Sequence, residues 1–290
     1  MQTALIPQID AIEISAIVNV ANVQQLSPFR YPGGKTWLVP RVIEWLRNLR
    51  PRPSTFVDPF TGGGSVPLAA LSEGCVDKLV LCELDEGVAA VWTCIFGAAN
   101  EELCQRILTF RISRERVIEE LSISPEDPID KAFQTILKNR TYRGGILAEG
   151  ASLMKNGENG RGVASRWYPE TLARRIRALG ELKKSIEVIH GDGMQVIAGH
   201  RDRANAVIFA DPPYTVGNGK RAGRRLYKHN QLDHKSLFQT LSHARASVLM
   251  TYDDAPEVID LAYRFGFKID RVPMKNTHHE KKNELLITTL

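Results

Sequence analysis

A loop of three consecutive glycines directly follows a short apolar run. Residues 56–65 read FVDPFTGGGS, so a predicted strand turns through Gly62, Gly63 and Gly64 into a predicted helix. Glycine has no Cβ, and the backbone can therefore approach a bound ligand closely at such a turn. The dinucleotide-binding pattern of spaced glycines is incomplete, because Pro67 occupies the place of its last glycine. The loop therefore predicts a ligand site, and that ligand is not a pyrophosphate.

A carboxylate ends the next predicted strand along the chain. Glu83 closes the apolar run 78–84, which reads KLVLCEL. In open α/β sheets, an acidic residue at this place accepts hydrogen bonds from ribose hydroxyls. Together with the glycine loop, Glu83 indicates a nucleoside-type cofactor. The alternative is a tight structural turn followed by a surface glutamate.

A third group of chemically competent residues follows another apolar strand. The run 206–210 leads directly into Asp211, Pro212, Pro213 and Tyr214. The prolines end the strand and fix a rigid turn, which presents a carboxylate, a carbonyl and an aromatic ring. The Asp211 carboxylate and the Pro212 carbonyl could each accept one N–H of a planar amino group, while Tyr214 stacks on its ring. This arrangement would make the lone pair of the amino nitrogen available for attack.

The elements that must position these groups alternate between strand and helix. Strands are predicted at 55–57, 78–84, 187–190, 206–210, 247–251, 268–272 and 285–289, and helical periodicity at 36–49, 66–71, 169–182 and 257–265. Strand, glycine loop, helix and strand form a βαβ unit, which requires a parallel sheet covered on both faces. Residues 91–138 are predicted to form helices, and 139–166 a long irregular segment.

The composition is that of a folded globular protein. The chain has 290 residues, is 43% hydrophobic and 24% charged, and carries a formal net charge of +5. The sequence contains no run long enough to span a membrane and no basic secretory leader, which favours a cytoplasmic protein. Cys75, Cys82, Cys94 and Cys104 lack CxxC spacing, so no metal site is predicted.

The three motifs and their order resemble the Dam-like, or D12, family of DNA adenine-N6 methyltransferases. The resemblance rests on FRYPGGK at 29–35, DPFTGGGS at 58–65, DPPY at 211–214 and the closing KKNELL at 281–286. It implies a Rossmann-like α/β methyltransferase sheet with S-adenosylmethionine as methyl donor and no metal. The expected organisation is an N-terminal extension at 1–27, a catalytic domain at 28–90 and 167–290, and a helical target-recognition insertion at 91–166.

The resemblance also assigns roles to individual positions. Tyr31 stands where the family has an aromatic residue against the cofactor, Lys35 matches its motif lysine, and Asp192 matches the acid near the adenine of the cofactor. The expected cofactor-binding residues are Tyr31, Gly33, Lys35, Asp58, Phe60, Gly62, Gly64, Ser65, Glu83, Asp192 and Asp211. The expected catalytic residues are Asp211, Pro212, Pro213 and Tyr214.

Two basic segments are expected to contact duplex DNA. Arginine and asparagine in 139–166 have the hydrogen-bonding groups that read guanine and adenine edges. The segment 215–230 has five basic side chains and no acid, and should hold phosphates beside a base flipped out of the duplex. A solvated surface is the alternative for both. The candidate DNA-binding residues are Asn139, Arg140, Tyr142, Arg143, Lys220, Arg221, Arg224 and Arg225.

The sequence thus predicts a site-specific adenine-N6 methyltransferase that acts as a monomer, or as a transient dimer on DNA, in a bacterial or phage setting with or without a restriction enzyme. Cytosine-N4 or RNA adenine methylation would use the same clamp on an amino group. A catalytically silent DNA-binding subunit is the alternative from another class. Cytosine-C5 chemistry is disfavoured, because all four cysteines precede residue 105.

Overall fold

A seven-stranded mixed sheet organises the chain. The computed structural model describes residues 23–31, 33–213, 232–275 and 281–289. The strands are β1 (Thr55–Asp58), β2 (Lys78–Glu83), β3 (Ile186–His190), β4 (Ala206–Ala210), β5 (Ser247–Asp253), β6 (Lys268–Lys275) and β7 (Lys281–Thr288). Their order in the sheet is β3-β2-β1-β4-β5-β7-β6. The first five of these are parallel, whereas β7 runs antiparallel to both β5 and β6.

The strand order reverses direction between β1 and β4. From β1 the chain moves outward to β2 and β3, and it then returns to place β4 on the other side of β1. Thr55 pairs with Ala206 and Val57 with Ile208, so both strands end at the same edge of the sheet. The crevice outside the carboxyl ends of strands at such a reversal is where open α/β sheets bind ligands.

Helices cover both faces of the sheet, as a largely parallel sheet requires. They are α1 (Val39–Asn48), α2 (Ser65–Ser72), α3 (Glu86–Phe96), α4 (Asn100–Thr109), α5 (Arg114–Ser122), α6 (Pro128–Thr141), α7 (Pro169–Gly180), α8 (Gly193–His200), α9 (His234–Ser242) and α10 (Pro256–Arg264). One hydrophobic core lies under α1–α7, and a second lies under α8–α10. No helix in the described ranges is long and apolar enough to cross a lipid bilayer.

The mixed α/β fold predicted from the sequence is confirmed, and so are the positions of its strands. Two helices were not expected, α8 and α9. The boundary expected at residue 91 lies inside α3, whose buried Trp92 and Ile95 belong to the same core as the sheet. The helices of the expected insertion are therefore continuous with the sheet in packing. The division into a catalytic and a recognition part remains a prediction about function.

The segment 27–30 crosses the helical layer before α1 and is held there by polar side chains. Asn139, near the end of α6, accepts from the Arg30 backbone N–H at 2.9 Å and donates to the Arg30 carbonyl at 3.1 Å. Its amide also donates to the Gly145 carbonyl at 2.8 Å. Arg140 donates to the Pro28 carbonyl, and Arg175 to the Ser27 carbonyl. These bonds satisfy backbone groups that are shielded from water.

Replacing Asn139 by Ala should lower the free energy of unfolding by about 3 kcal/mol, because buried backbone groups would lose their partners. Urea denaturation followed by circular dichroism measures this change. The matched control is Asn156→Ala, at an exposed asparagine of the following loop, and it should change stability by less than about 0.5 kcal/mol. Equal stability of both variants would contradict the anchoring role of Asn139.

Candidate active site

A pocket opens at the carboxyl ends of β1 and β4. It is lined by all eleven residues that the sequence predicts to bind a cofactor, together with Pro213. Pro212 is buried behind them. Tyr214 lies outside the described residues. The structure therefore brings the glycine loop, Glu83, Asp192 and Asp211 around one space, and their binding roles remain predictions.

The backbone of the glycine loop requires glycine at two positions. Gly62 and Gly64 have φ angles of 45° and 61°, in the left-handed region that other residues rarely adopt. A Cβ on Gly62 would lie 2.6 Å from the Tyr31 ring. The carbonyl of Gly62 accepts a hydrogen bond of 3.0 Å from the indole N–H of the fully buried Trp92. The hydrogen bond from Trp92 therefore holds the loop in place, and the loop packs against the ring of Tyr31.

Glu83 connects the glycine loop to the start of α3. Its Oε2 accepts from the Gly62 N–H at 2.9 Å, and its Oε1 accepts from the Asp85 N–H at 2.8 Å. Burial raises the pKa of Glu83 to about 7, against the lowering effect of these backbone bonds. A carboxylate has about four acceptor positions, so Glu83 can take a ligand hydroxyl in addition to its backbone partners.

The pocket has a strong excess of acidic groups. Among the residues that the structure describes, its lining includes one ammonium group, that of Lys35, and five carboxyl groups, those of Asp58, Glu83, Asp85, Asp192 and Asp211. Burial, and after it the nearby carboxylates of Asp211 and Glu83, raise the pKa of Asp58 well above its usual range. These carboxyl groups offer acceptors for the hydrogen-bond donors of a ligand, and those that are ionised favour a ligand that carries positive charge.

These residues fit S-adenosylmethionine, the group that the sequence resemblance implies. Glu83 offers acceptors for ribose hydroxyls, and the glycine loop allows close approach of the backbone. The acidic lining suits a sulfonium and an ammonium group, both of which are cationic. Residues around Glu83 and Asp192 would hold the nucleoside, and those around Asp58 and Asp211 the charged end.

Two side chains contact the same carboxylate oxygen of Asp211. Its Oδ1 lies 2.9 Å from the Lys35 ammonium and accepts a 2.6 Å hydrogen bond from the Thr251 hydroxyl. The side chain keeps 22% of its surface exposed toward the pocket. On β5, Tyr252 is buried next to Thr251, and its hydroxyl lies 2.8 Å from Nδ1 of His234. The carboxylate is therefore presented at the pocket wall in a fixed orientation.

The candidate DNA-binding residues divide into three groups. Asn139 and Arg140 are buried, with 1% and 6% exposure, and their side chains bind segment 27–30. The expectation that they read base edges is incompatible with these positions, because their polar groups are used inside the protein. Tyr142 is half-buried and Arg143 is exposed, so their expected role remains a prediction. Lys220, Arg221, Arg224 and Arg225 lie outside the described residues.

Burial also changes the chemistry of Arg140. Desolvation lowers its pKa to about 9, and the neighbouring guanidinium groups of Arg175, Arg30 and Arg166 contribute in the same direction. Its Nε has no hydrogen-bond partner among the described residues. No local pattern predicts this burial, since arginine near a helix end is usually exposed.

Several residues of the site were not expected from the sequence. Leu147 and Ala148, from the segment after α6, line the pocket and bring the expected recognition insertion to its rim. The hydroxyl of Thr251 on β5 donates to Asp211, and the buried Glu284 on β7 contacts Lys35. Alternation could not reveal Glu284, because the neighbours Leu285, Leu286 and Ile287 are buried on both faces of the strand. No cluster of metal-ligating side chains occurs within 23–31, 33–213, 232–275 and 281–289.

A protein-family model supports this interpretation. Residues 31–277 match the model for D12 class N6 adenine-specific DNA methyltransferases. Among curated proteins, no sequence matches the chain.

Solved structures show more distant similarity. An rRNA methyltransferase from Streptomyces viridochromogenes aligns with a TM-score of 0.40 and 14% identity, over 97% of this chain and 94% of that one. A candidate RNA methyltransferase from Pyrococcus horikoshii aligns with a TM-score of 0.42 and 10% identity, over 93% and 95% of the two chains. At these TM-scores neither similarity supports a conclusion about the substrate.

The raised pKa of Glu83 predicts pH-dependent binding of the nucleoside ligand. Ionised Glu83 accepts hydroxyl hydrogen bonds better than its neutral form, so affinity should rise as pH increases through about 7. If only the ionised form binds, affinity for S-adenosylhomocysteine rises about tenfold between about pH 6 and pH 8. Calorimetric titration at a series of pH values measures this affinity.

The matched variant is Glu83→Gln, which is neutral at every pH and replaces one acceptor oxygen by a donor. This variant should bind S-adenosylhomocysteine more weakly, and its affinity should not rise between about pH 6 and pH 8. The same rise in Glu83→Gln would assign the pH effect to another group, such as the buried Asp58.

Proposed function

Because the chain belongs to the family of D12 class N6 adenine-specific DNA methyltransferases, we propose that it methylates N6 of a target adenine in duplex DNA. It is a methyltransferase whose methyl donor is S-adenosylmethionine. When bound, this cofactor supplies a methyl group on a cationic sulfur with a good leaving group. The contribution of the protein is then to orient the acceptor nitrogen and stabilise the charge that develops on it.

The anchored carboxylate of Asp211 is the observation that carries the proposal. It lies at the wall of the cofactor pocket, on a turn that Pro212 and Pro213 make rigid, and its orientation is fixed by Lys35 and Thr251. A carboxylate held in this way can accept an N–H of an exocyclic amino group. As the nitrogen attacks the methyl group it gains positive charge, and the nearby negative charge of Asp211 stabilises that change.

A target inside a duplex must leave the base stack to reach this pocket. We propose that the adenine is flipped, with Tyr214 stacking on it and the 215–230 segment contacting phosphates. Arg143 is our candidate for reading a base edge. It is exposed, and Leu147 and Ala148 of the same segment line the pocket. The proposed catalytic unit is a monomer acting in a bacterial or phage setting.

Cytosine-N4 and RNA adenine methylation are the nearest alternatives, since both substrates present a planar amino group. The D12 family match favours adenine in DNA over both. Base-resolved sequencing of nucleic acids separates all three.

Expression of the protein in a host that lacks adenine methylation should produce N6-methyladenine at a defined DNA sequence. Asp211→Ala should lower the rate at least about a hundredfold, because a preorganised contact to the reacting amino group is lost. The matched control, Asp260→Ala, removes an exposed carboxylate of α10 and should leave the rate unchanged.

Methylation only at cytosine, or only in RNA, would contradict the proposed substrate. Near-normal activity of Asp211→Ala would contradict the proposed clamp on the amino group. Circular dichroism of each purified variant establishes that it is folded.

Replacing Arg143 by Ala should relax target choice at one position of the recognised sequence. If the arginine reads a guanine, about 1–3 kcal/mol of discrimination is lost. Methylation profiles over a randomised DNA library measure this change. Arg111→Ala, at an exposed arginine near α5, should leave the profile unchanged. An unchanged profile for Arg143→Ala would assign target reading elsewhere.

A further inference from the structure

The ammonium of Lys35 is held by three acceptors from three separate parts of the chain. It lies 2.9 Å from Oδ1 of Asp211 and 3.0 Å from Oε1 of Glu284, and it donates to the Gly33 carbonyl at 3.0 Å. A lysine ammonium has three N–H donors and no acceptor, so it can bind acceptors from several parts of the chain at once. Lys35 is buried, with 6% of its surface exposed, and each contact therefore acts with little screening by water.

Glu284 is the unusual member of this group, because its burial is costly and it lies in the closing KKNELL segment rather than in a motif that lines the pocket. It sits on β7, paired with Asp253 of β5 and Val272 of β6, and only 4% of it is exposed. A carboxylate is almost never buried unless a partner compensates its charge. Here that partner is Lys35, which also contacts Asp211.

Thr251 supplies the second constraint on Asp211. Its hydroxyl donates to the same oxygen, Oδ1, that contacts Lys35. Two donors that converge on one oxygen fix the rotation of the carboxylate about its Cβ–Cγ bond. The plane of the carboxyl group, and with it the direction of its acceptor orbitals toward the pocket, is thereby set.

We propose that Glu284 is a positioning residue for methyl transfer, acting on Asp211 through Lys35, with Thr251 completing the orientation. The proposal rests on the proposed function, in which Asp211 accepts from the target amino group. Glu284 shares the positive charge of the Lys35 ammonium with Asp211, which lies 2.9 Å from the same nitrogen. Loss of the Glu284 charge would leave more of the positive charge of Lys35 to act on Asp211 and would weaken Asp211 as an acceptor.

The test compares neutral near-isosteres with conservative variants. Glu284→Gln keeps an acceptor oxygen for Lys35 but removes the charge, and Thr251→Val removes the hydroxyl at nearly constant volume. Thr251→Ser retains the hydroxyl and should keep most of the rate. Asp270→Asn, at an exposed carboxylate on neighbouring β6, is the matched control and should behave like the unmodified protein.

The measured quantity is the single-turnover rate of methyl transfer to a DNA duplex at saturating cofactor and DNA. Glu284→Gln and Thr251→Val should each lower this rate about tenfold, as expected for loss of a hydrogen bond or ion pair to a charged group. Dissociation constants for S-adenosylhomocysteine and DNA should change less than about twofold. A purely structural role would lower the melting temperature and leave the rate of the folded protein unchanged.

Crystal structures of the unmodified protein and of both variants give a readout that does not depend on activity. The expected result is a turned Asp211 carboxylate in Thr251→Val and a shifted Lys35 ammonium in Glu284→Gln. If neither the Asp211 carboxylate nor the Lys35 ammonium moves in these variants, and the rate of methyl transfer is unchanged, the proposal is wrong. If the unmodified protein fails to methylate DNA, the proposed function fails, and the crystal structures alone then decide whether Glu284 and Thr251 position Asp211.

Discussion

The shared ammonium of Lys35 is the constraint on which the geometry of the site depends. A buried lysine must have its charge balanced, and here two carboxylates and a carbonyl do so. The three acceptors come from the segment before α1, the end of β4 and the antiparallel strand β7. The same contacts that satisfy Lys35 therefore hold these parts of the molecule together at the pocket. In the proposed function, binding of the cofactor and orientation of the target both depend on this electrostatic cluster.

Support for the site extends into the helical layer. Trp92 of α3 bonds to Gly62 in the glycine loop, and Asn139 of α6 fixes the backbone of Arg30, next to the pocket residue Tyr31. α3–α7 share one hydrophobic core with a face of the sheet. A closely packed core transmits small displacements, because its side chains have no space to absorb them. Displacements in the helical layer would therefore reach the residues that line the pocket.

The strands, the glycine loop and the pocket residues could be predicted because each leaves a local pattern. Apolar runs mark buried parallel strands, and Gly62 and Pro212 end them in recognisable ways. The roles of Asn139 and Arg140 could not be predicted, since their partners are backbone groups more than a hundred positions earlier. Glu83 was placed correctly in the pocket, but its bonds to Gly62 and Asp85 depend on the folded loop. The burial of Glu284 could not be predicted, because the polar residues KKN at 281–283 suggest an exposed strand.

The position of β7 in the sheet has a consequence for synthesis on the ribosome. Domains generally fold as units when their residues have emerged. β7 is inserted between β5 and β6, and it carries Glu284 to Lys35 at the other end of the chain. Lys35 therefore lacks its second counter-ion until residue 284 has emerged. A nascent chain can complete the sheet, and with it the cluster that holds Asp211, only after nearly all of its residues have been synthesised.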